Sequence, residues 1–490
     1  MKRKGYIACF ALLAIMMAAC SDDELATSPS DQPTLSADTL HMGMVLAGNS
    51  SSTSQLKLYN RCSDELRLTS ISLRSAGDSG FRMNVDGMNG SSFVDSDLLR
   101  IAKGDSMFIF VEATFPDADS GLADCMDYID IVCNGRTQTI VLDAQSKGVK
   151  KLYAACIMSD TTWTRAAEVQ IFDSLVVAEG VTLTLADSVT LYLHDKADLI
   201  VRGTLLCQGR LGAPVTIRGD RTDRMFVNLP YDNLPAQWGS LYIAREAKGC
   251  RFEYTDIRGM SGGIDIDSTD VVFGSCRLKN ANGSLITCRM STMTLDNCEL
   301  SNALGSLLDI YGGWHDIRHC TMANYYFAGS AVTRPAVHLC NADTANARLT
   351  PLHRCDFLNT LIWGRWQNPD VSLDYLTLDK GQALIGRAEE KQDSVFSYTF
   401  DHCLLRADGT DDNEFVQTVW NADPLYRLID TPNYAFDFHL TDESPAREAG
   451  APAGSEACPT DLDGVARPEI PSIGCYQWTA GSTTSDGDGQ

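Results

Sequence analysis

Histidine, aspartate and arginine recur just before a series of cysteines in the second half of this chain, and these residue types can do acid/base or metal chemistry. The stretch "GWHDIRHC" brings His315, Asp316 and His319 together. Alignment with neighbouring repeats puts His315 at the position held by Val271 and Met293, which predicts an inward side chain. We therefore expect His315 to be a structural residue rather than a ligand.

A second group of candidates consists of the polar pairs that precede each cysteine position. They are Asp296-Asn297, Arg318-His319, His353-Arg354, Asp374-Tyr375 and Asp401-His402. If the repeats stack, these pairs form one polar ridge. Such a ridge can contact a glycan or carry catalysis, or it can be a solvated column of turns. The candidate ligand contacts on this ridge are His319, His353, Arg354, Asp401 and His402.

The stretch "LIWGRWQNPD" offers aromatic side chains to a sugar. Trp363 and Trp366 flank Arg365, and the face of an indole can stack against a pyranose ring. The alternative is packing of an insertion, residues 341–349, against the rest of the domain. The sequence leaves both interpretations open, so these three residues join the candidate contacts.

Metal and cofactor motifs are weak. The segments "DIDSTD" (Asp265 to Asp270) and "TDLDG" are acidic, but neither has the ligand spacing of an EF-hand. The sequence has no nucleotide-binding loop, zinc-type CxxC pair or GxSxG elbow. We expect no resident cofactor, with calcium as the alternative, and no catalytic residue is identified.

The elements that must position these residues can be inferred from a sequence repeat, h-x-x-C-x-h-x-N, in which h is an apolar residue and x is any residue. Its copies are "FGSCRLKN", "LDNCELSN", "IRHCTMAN" and "LHRCDFLN", the fourth of which ends at Asn359. We expect Cys250 to begin the series of cysteines. The unit is near 22 residues, with Gly-Ser landmarks in step. A unit of this length with three short β segments predicts one turn of a parallel coil, stacked ~4.8 Å from the next.

The cysteines then form a buried column, because a thiol is small and apolar. Their side chains point in parallel, which is poor geometry for a disulfide. We therefore expect Cys276, Cys298 and Cys320 to be unbonded.

Rung length and the recurring asparagine make residues from about 175 to 430 resemble the right-handed parallel β-helix proteins of the pectin-lyase-like superfamily. This resemblance implies the handedness, and it implies a surface that some relatives use to cleave polysaccharides. Leucine-rich repeats have a similar period, but these units lack the L-x-x-L-x-L order.

The flanking regions resemble two other surface modules. Apolar and polar residues alternate over residues 35–147, which predicts the strands of an antiparallel sandwich. This region resembles immunoglobulin-like, choice-of-anchor D type domains at Asn60, Phe81, Lys103-Gly104-Asp105 and Phe115-Pro116. Residues 436–479 resemble the choice-of-anchor Q tail, at places such as Ser444-Pro445-Ala446 and Ile473-Gly474. We expect this tail to cap the last rung, with Cys458 and Cys475 as the best disulfide candidate.

The N-terminal residues are typical of an export signal. Lys2, Arg3 and Lys4 precede an apolar run that ends in Ala18-Ala19-Cys20, which resembles a bacterial lipobox and implies lipidation of Cys20. We expect an outer-membrane lipid anchor and display on the cell surface. The predicted division is signal 1–20, flexible tether 21–34, sandwich 35–147, β-helix 148–435, cap 436–479 and disordered tail 480–490.

The predicted fold class is all-β, a sandwich followed by a capped right-handed β-helix. The formal net charge of −24 disfavours nucleic acid as a partner. We expect a surface lipoprotein whose β-helix binds a polysaccharide or a surface protein. The alternative is a polysaccharide-degrading enzyme, a lyase or a glycoside hydrolase.

Overall fold

The computed structural model describes residues 24–94, 97–226, 229–329, 331–343, 348–366, 369–375, 377–379, 382–384 and 396–480. The predicted signal with Cys20 and the predicted tail from residue 481 lie outside the described residues. The chain divides into two units between Gly148 and Val149. Among the described residues, no helix is long and apolar enough to cross a membrane.

The first unit is built from strands that alternate buried and exposed side chains, as in "SMFIFVEA" of residues 106–113. Its strands are β1 Thr34–Leu35, β2 Thr39–Leu46, β3 Ser54–Tyr59, β4 Leu66–Leu73, β5 Phe81–Val85, β6 Met88–Gly90, β7 Ser92–Val94, β8 Arg100–Ile101, β9 Ser106–Ala113, β10 Leu122–Cys133 and β11 Arg136–Lys147. They form one sheet of order β1-β3-β9-β5-β6 and a second of order β2-β11-β10-β4-β7. The alternating apolar side chains of both sheets meet in one core.

The predicted tether is wrong over the residues that are described. Leu25 pairs with Glu65, and the buried Ala26 accepts a hydrogen bond at its carbonyl from Asn134 Nδ2 at 3.0 Å. The same amide donates to the carbonyl of Asp31 at 2.9 Å. This segment is therefore part of the first unit, because its backbone groups have partners there.

The second unit is a stack of parallel coils, called here the coil domain. Its coil strands are β12 Lys150–Ile157, β13 Thr161–Trp163, β14 Glu168–Val177, β15 Thr182–Leu185, β16 Thr190–Leu193, β17 Asp198–Val201, β18 Thr204–Gln208, β19 Val215–Gly219, β22 Trp238–Ile243, β23 Cys250–Glu253, β24 Thr255–Asp267, β25 Asp270–Gly274, β26 Arg277–Ala281, β27 Ile286–Asp296, β28 Glu299–Ala303, β29 Leu308–Arg318, β30 Thr321–Asn324, β31 Val337–Cys340, β34 Leu352–Leu358, β35 Leu361–Gly364, β36 Val371–Asp374, β39 Thr399–Asp401, β40 Leu404–Leu405, β41 Phe415–Val416 and β42 Val419–Trp420.

Between these strands lie short hairpins on the outside of the stack. They are β20 Arg224–Phe226 with β21 Leu229–Pro230, β32 Ala342–Asp343 with β33 Arg348–Leu349, and β37 Thr377–Asp379 with β38 Gln382–Leu384. A short 3-10 helix covers Tyr231–Asn233. The prediction of an all-β fold is confirmed.

Equivalent residues of successive coils pair in parallel register. Leu295 pairs with Phe273 in one neighbouring coil and with Ile317 in the other. This register puts apolar side chains in columns inside the stack, such as the stacked rings of Phe357 and Phe400, whose centroids are 4.4 Å apart. Burial of these columns is the main stabilising term of a coil stack.

The cysteine column is present, but two of its predicted members lie elsewhere. Cys276, Cys298 and Cys320 are fully buried and unbonded. Cys250 instead pairs with Val271. Cys355 pairs with His315.

The fourth repeat is displaced by five residues because an insertion precedes it. Leu361 pairs with Thr321, so Thr360 takes the cysteine position, and its hydroxyl accepts a hydrogen bond from the Cys320 backbone N–H at 3.4 Å. His315 is buried as predicted, and its Nε2–H donates to the Gly312 carbonyl at 3.0 Å.

The C-terminal residues form a cap on one side of the stack, from β43 Tyr426–Asp430 and β44 Ala435–Leu440 to the short helix α1 Pro452–Ala457 and the loops that follow. The cap shares a hydrophobic cluster with Ala323, Leu361 and Leu404 of the coils. The predicted Cys458–Cys475 disulfide is absent, and both sulfurs are unbonded. Cys475 lies against the coils, where its N–H donates to Thr321 Oγ1 at 3.0 Å.

Candidate functional site

The coils turn a corner at the residue just before the cysteine position, and in the coils from Ser275 to His402 the backbone there is left-handed. The φ angles are 52° at Ser275, 59° at Asn297, 48° at His319, 51° at Asn359 and 47° at His402. Asparagine and histidine tolerate this conformation better than most side chains do. The polar residues of the predicted ridge therefore reflect a backbone requirement, and Asn359 belongs to this corner column rather than to the asparagine position.

The predicted ridge is wrong at His319, because the cap covers it. His319 is fully buried. Its Nδ1–H donates to the Gly474 carbonyl at 3.3 Å, and its Nε2 accepts from Asn359 Nδ2 at 3.0 Å. Burial, with the charge of Arg467 acting in the same direction, lowers the pKa of His319 to about 3. This imidazole is neutral and cannot contact a ligand.

At the corner of the coil that follows Asn359, the predicted pair Asp401 and His402 is in contact. His402 Nδ1 lies 2.6 Å from Asp401 Oδ1. The His402 side chain is mostly buried, whereas that of Asp401 is 42% exposed. Asp401 pairs with Leu358 of the preceding coil.

The cap is fastened to the coils through Asp463, which a charged histidine of the cap also contacts. His439 Nε2 lies 2.9 Å from Asp463 Oδ2, and Asp463 also pairs with Arg277 of the coils at 2.6 Å. His439 Nδ1 contacts Asp437. Burial disfavours the charged ring, but the two carboxylates outweigh it and raise the pKa of His439 to about 9.

Stability should therefore fall as the pH rises. The contribution of His439 is fully present below pH ~6.5, its unfolded pKa, and is lost as the pH passes about 9. It is at most about 3 kcal/mol before solvent screening of a partly exposed group. Thermal melts from pH 6 to 10 should show a steeper fall for the wild-type chain than for His439→Gln. Equal slopes would contradict this role.

The stretch with two tryptophans does not form an open aromatic platform. Trp363 is partly buried against the cap cluster. Arg406 lies 5.7 Å from its ring and donates to the carbonyls of Gly364 and Trp366. Arg365 is exposed, and its Nη1 donates to Thr431 Oγ1 at 3.2 Å. Trp363 and Arg365 thus contact the cap, and the role of Trp363, Arg365 and Trp366 as ligand contacts stays a prediction.

His353 and Arg354 lie on the tryptophan face, defined here as the outward side chains of residues 292–296, 314–318, 353–358 and 399–401. His353 is the extra residue of a β-bulge, since Gly313 pairs with Leu352 and Trp314 with Arg354. Arg354 pairs with Asp316 and with Asp356. Sequence reasoning missed Trp314, which is exposed on this face.

Another polar surface is the groove face, defined here as the outward side chains of residues 242, 264–267, 286–289, 308–311, 337–340 and 371–374. Inward residues of these segments, such as Ile264 and Ile266, belong to the core. The outward residues form two in-register columns. The first contains Tyr242, Asp265, Thr287, Asp309, His338 and Ser372, and the second contains Asp267, Arg289, Tyr311, Cys340 and Asp374.

A histidine lies between two carboxylates at one end of this face. His338 Nδ1 is 3.2 Å from Asp309 Oδ1, and its Nε2 is 2.9 Å from Asp374 Oδ2. Burial disfavours the charged ring, but the two carboxylates outweigh it and raise the pKa of His338. Asp309 is buried and also pairs with Arg334 Nη1 at 3.1 Å, while Ser284 Oγ donates to it at 2.6 Å.

The other end of the groove face is a pocket of about 380 Å³ lined by Tyr242, Arg245, Asp265, Asp267, Ser268, Arg289, Met290, Asp343 and Thr350. Asp265 pairs with Arg289, and Asp267 Oδ2 lies 2.8 Å from Arg245 Nη2. The guanidinium of Arg289 is also 5.8 Å from the ring of Tyr311. Carboxylates, guanidiniums and phenol rings held in fixed positions can bind sugar hydroxyls.

Two aspartates of this pocket differ in their ionisation. Burial raises the pKa of Asp265. Burial also opposes ionisation of Asp267, but its hydrogen bonds from Arg245 and Ser268 outweigh that and lower its pKa. Both aspartates belong to the "DIDSTD" stretch considered for calcium. Within the part of the chain that the structure describes, no three His, Cys, Asp or Glu side chains are grouped so as to hold a metal ion.

Comparison with known proteins adds little to this geometry. No protein-family model and no curated protein matches the sequence. Among solved structures, one match is a family 123 glycoside hydrolase from Clostridium perfringens, at 10% identity and a TM-score of 0.17, covering 24% of this chain and 26% of that one. Another is the ASH/PapD-like domain 7 of human CEP192, also at 10% identity and a TM-score of 0.17, covering 25% of this chain and 89% of that one.

The chain thus spans about a quarter of the length of that glycoside hydrolase. Similarity at this level carries no argument about activity. The functional conclusion depends on the surfaces of the coil domain.

Proposed function

We propose that this protein is a surface lipoprotein whose coil domain binds an uncharged polysaccharide along the groove face. The observation that carries the proposal is the charge balance of this face, to which Arg245 and Arg334 contribute from beside the two columns. Four carboxylates, those of Asp265, Asp267, Asp309 and Asp374, each have a basic partner from Arg245, Arg289, Arg334 or His338.

Charge balance favours an uncharged ligand. A polyanionic chain needs unpaired basic groups, whereas each basic group named here has a carboxylate partner and the whole chain carries a formal net charge of −24. Hydroxyl groups can both donate to carboxylates and accept from guanidiniums, so an uncharged sugar chain can use paired groups without separating them. The same net charge disfavours nucleic acid.

The finer features of the fold belong to this proposal. The coil domain is taken as a right-handed parallel β-helix, which its parallel register supports, and the first unit as an immunoglobulin-like sandwich, which its two sheets support. Lipidation at Cys20 and anchoring in the outer membrane, with display on the cell surface, are supported by the Ala18-Ala19-Cys20 motif.

Polysaccharide cleavage is the second candidate function. Asp265 and Asp267 lie two residues apart on one strand, about 6.6 to 6.8 Å between α-carbons, and their pKa values move in opposite directions. Such a pair can supply a general acid and a general base.

One screen separates binding from cleavage. The mature chain is titrated with cellohexaose, mannohexaose, xylohexaose and polygalacturonate, with and without calcium, and products are assayed after incubation. We expect binding of at least one uncharged hexasaccharide without release of reducing ends or unsaturated products. Product release would establish polysaccharide cleavage as the function. Failure to bind any of these sugars would contradict glycan binding.

A further inference from the structure

Trp314 is an exposed aromatic residue on the regular strand β29. The residue is 46% exposed to solvent. Within the described residues, the indole ring of Trp314 stacks on the imidazole ring of His353. The two ring planes are 13° apart with centroids at 4.4 Å. An indole held at a fixed position offers a flat apolar face on which another ring can stack.

The bulge at His353 fixes the orientation of the indole. Because His353 is an extra residue between Leu352 and Arg354, its ring is brought over Trp314 from the following coil. Bulges commonly redirect a side chain in this way. One face of the indole is thereby covered, and its plane is set before any ligand arrives.

The opposite face of the indole is open. Its register partner in the preceding coil is Thr292, which is exposed and too small to cover an indole. Polar groups border this opening. Asp316 follows on the same side of the strand and pairs with Arg354, whose Nε lies 2.6 Å from Asp356 Oδ2. An open apolar ring edged by fixed hydrogen-bonding groups matches the C–H face and the hydroxyls of a sugar ring.

We propose that Trp314, supported by His353, is a stacking subsite for one pyranose ring of an uncharged glycan, with Asp316 and Arg354 as its hydroxyl contacts. This inference rests on the proposed glycan-binding function. The strand β29 also carries Asp309 and Tyr311 of the groove face, and the three residues from Tyr311 to Trp314 span at most ~10 Å. One oligosaccharide can therefore contact both surfaces.

The test uses the full mature chain and the hexasaccharide among cellohexaose, mannohexaose and xylohexaose that binds the wild-type chain most tightly. Trp314→Ala should weaken the affinity about tenfold or more, and Trp314→Phe should weaken it less, because a phenyl ring still stacks. Binding should change the tryptophan fluorescence of the wild-type chain more than that of Trp314→Phe. Thermal melts check that each variant is folded.

Tyr153→Ala is the matched control. Tyr153 is 62% exposed and stacks on Phe172 with centroids at 4.7 Å, so it reproduces an exposed aromatic pair on another part of the coil domain. It should leave the affinity unchanged.

The outcomes separate this inference from the proposal beneath it. If the wild-type chain binds and Arg289→Ala weakens binding while Trp314→Ala does not, the stacking subsite is overturned and the groove stands. If Trp314→Ala weakens binding and Arg289→Ala does not, the subsite stands without the groove. If no hexasaccharide binds, both are overturned.

Discussion

Replacing Asn359 with alanine is expected to lower the free energy of unfolding of the second unit by about 3–5 kcal/mol. Asn359 is fully buried beneath the cap. Its Nδ2 donates to the Ala451 carbonyl at 2.9 Å, and its Oδ1 accepts from the Ala451 N–H at 2.6 Å. Alanine would leave both backbone groups and His319 without these partners. Chemical denaturation monitored by circular dichroism measures the loss.

Asn421→Ala is the matched control for backbone strain. Asn421 has a φ of 45°, close to the 51° of Asn359, but it is exposed, and its Nδ2 donates to Asp408 Oδ1 at 2.7 Å. Both variants place alanine in a left-handed conformation, at a cost of about 1–2 kcal/mol. Asn359→Ala should exceed this control by about 2–4 kcal/mol. An equal loss in the two variants would show that the cap contacts contribute nothing.

Replacing Arg289 with alanine is expected to weaken binding of the uncharged hexasaccharide by about 10- to 100-fold. Arg289 lies centrally on the groove face, paired with Asp265 of the preceding coil and near the ring of Tyr311 of the following one. Its removal takes away guanidinium donors and also frees Asp265, whose position Arg289 fixes. Isothermal titration of both chains measures the change.

Arg74→Ala is the control, because it removes the same arrangement from the first unit. Arg74 Nη2 lies 2.7 Å from Asp130 Oδ1, and its guanidinium lies 4.3 Å from the ring of Tyr128. This variant should bind like the wild-type chain. Equal weakening by both variants would mean that binding does not depend on the groove face.

The regular part of the repeat could be predicted from the sequence, because its landmarks are evenly spaced. Cys276, Cys298 and Cys320 recur in step and form the buried column. The same reasoning failed at Cys355, where an insertion and a bulge shift the register. The motif around Cys355 has its cysteine at the expected place in the sequence, so it could not reveal that Thr360 is the residue that stacks on Cys320.

The candidate site was only partly predictable, since a periodic polar residue has two explanations. His319 and Asn359 recur because the corner backbone is left-handed, and the cap that buries them comes from the end of the chain. Long-range burial of this kind leaves no local signal. Asp265 and Asp309 could have been found, because the 22-residue step used for the cysteines also places Asp265, Thr287 and Asp309 in one column.

The central claim is that an uncharged glycan lies on the groove face. It is tested most directly by carbodiimide labelling of carboxylates in the full mature chain, with and without the bound hexasaccharide, read out by peptide mass spectrometry. Bound sugar should reduce labelling of Asp265, Asp267 and Asp374 and leave Asp130 of the first unit unchanged. Saturating sugar without any change at these three aspartates would contradict the claim.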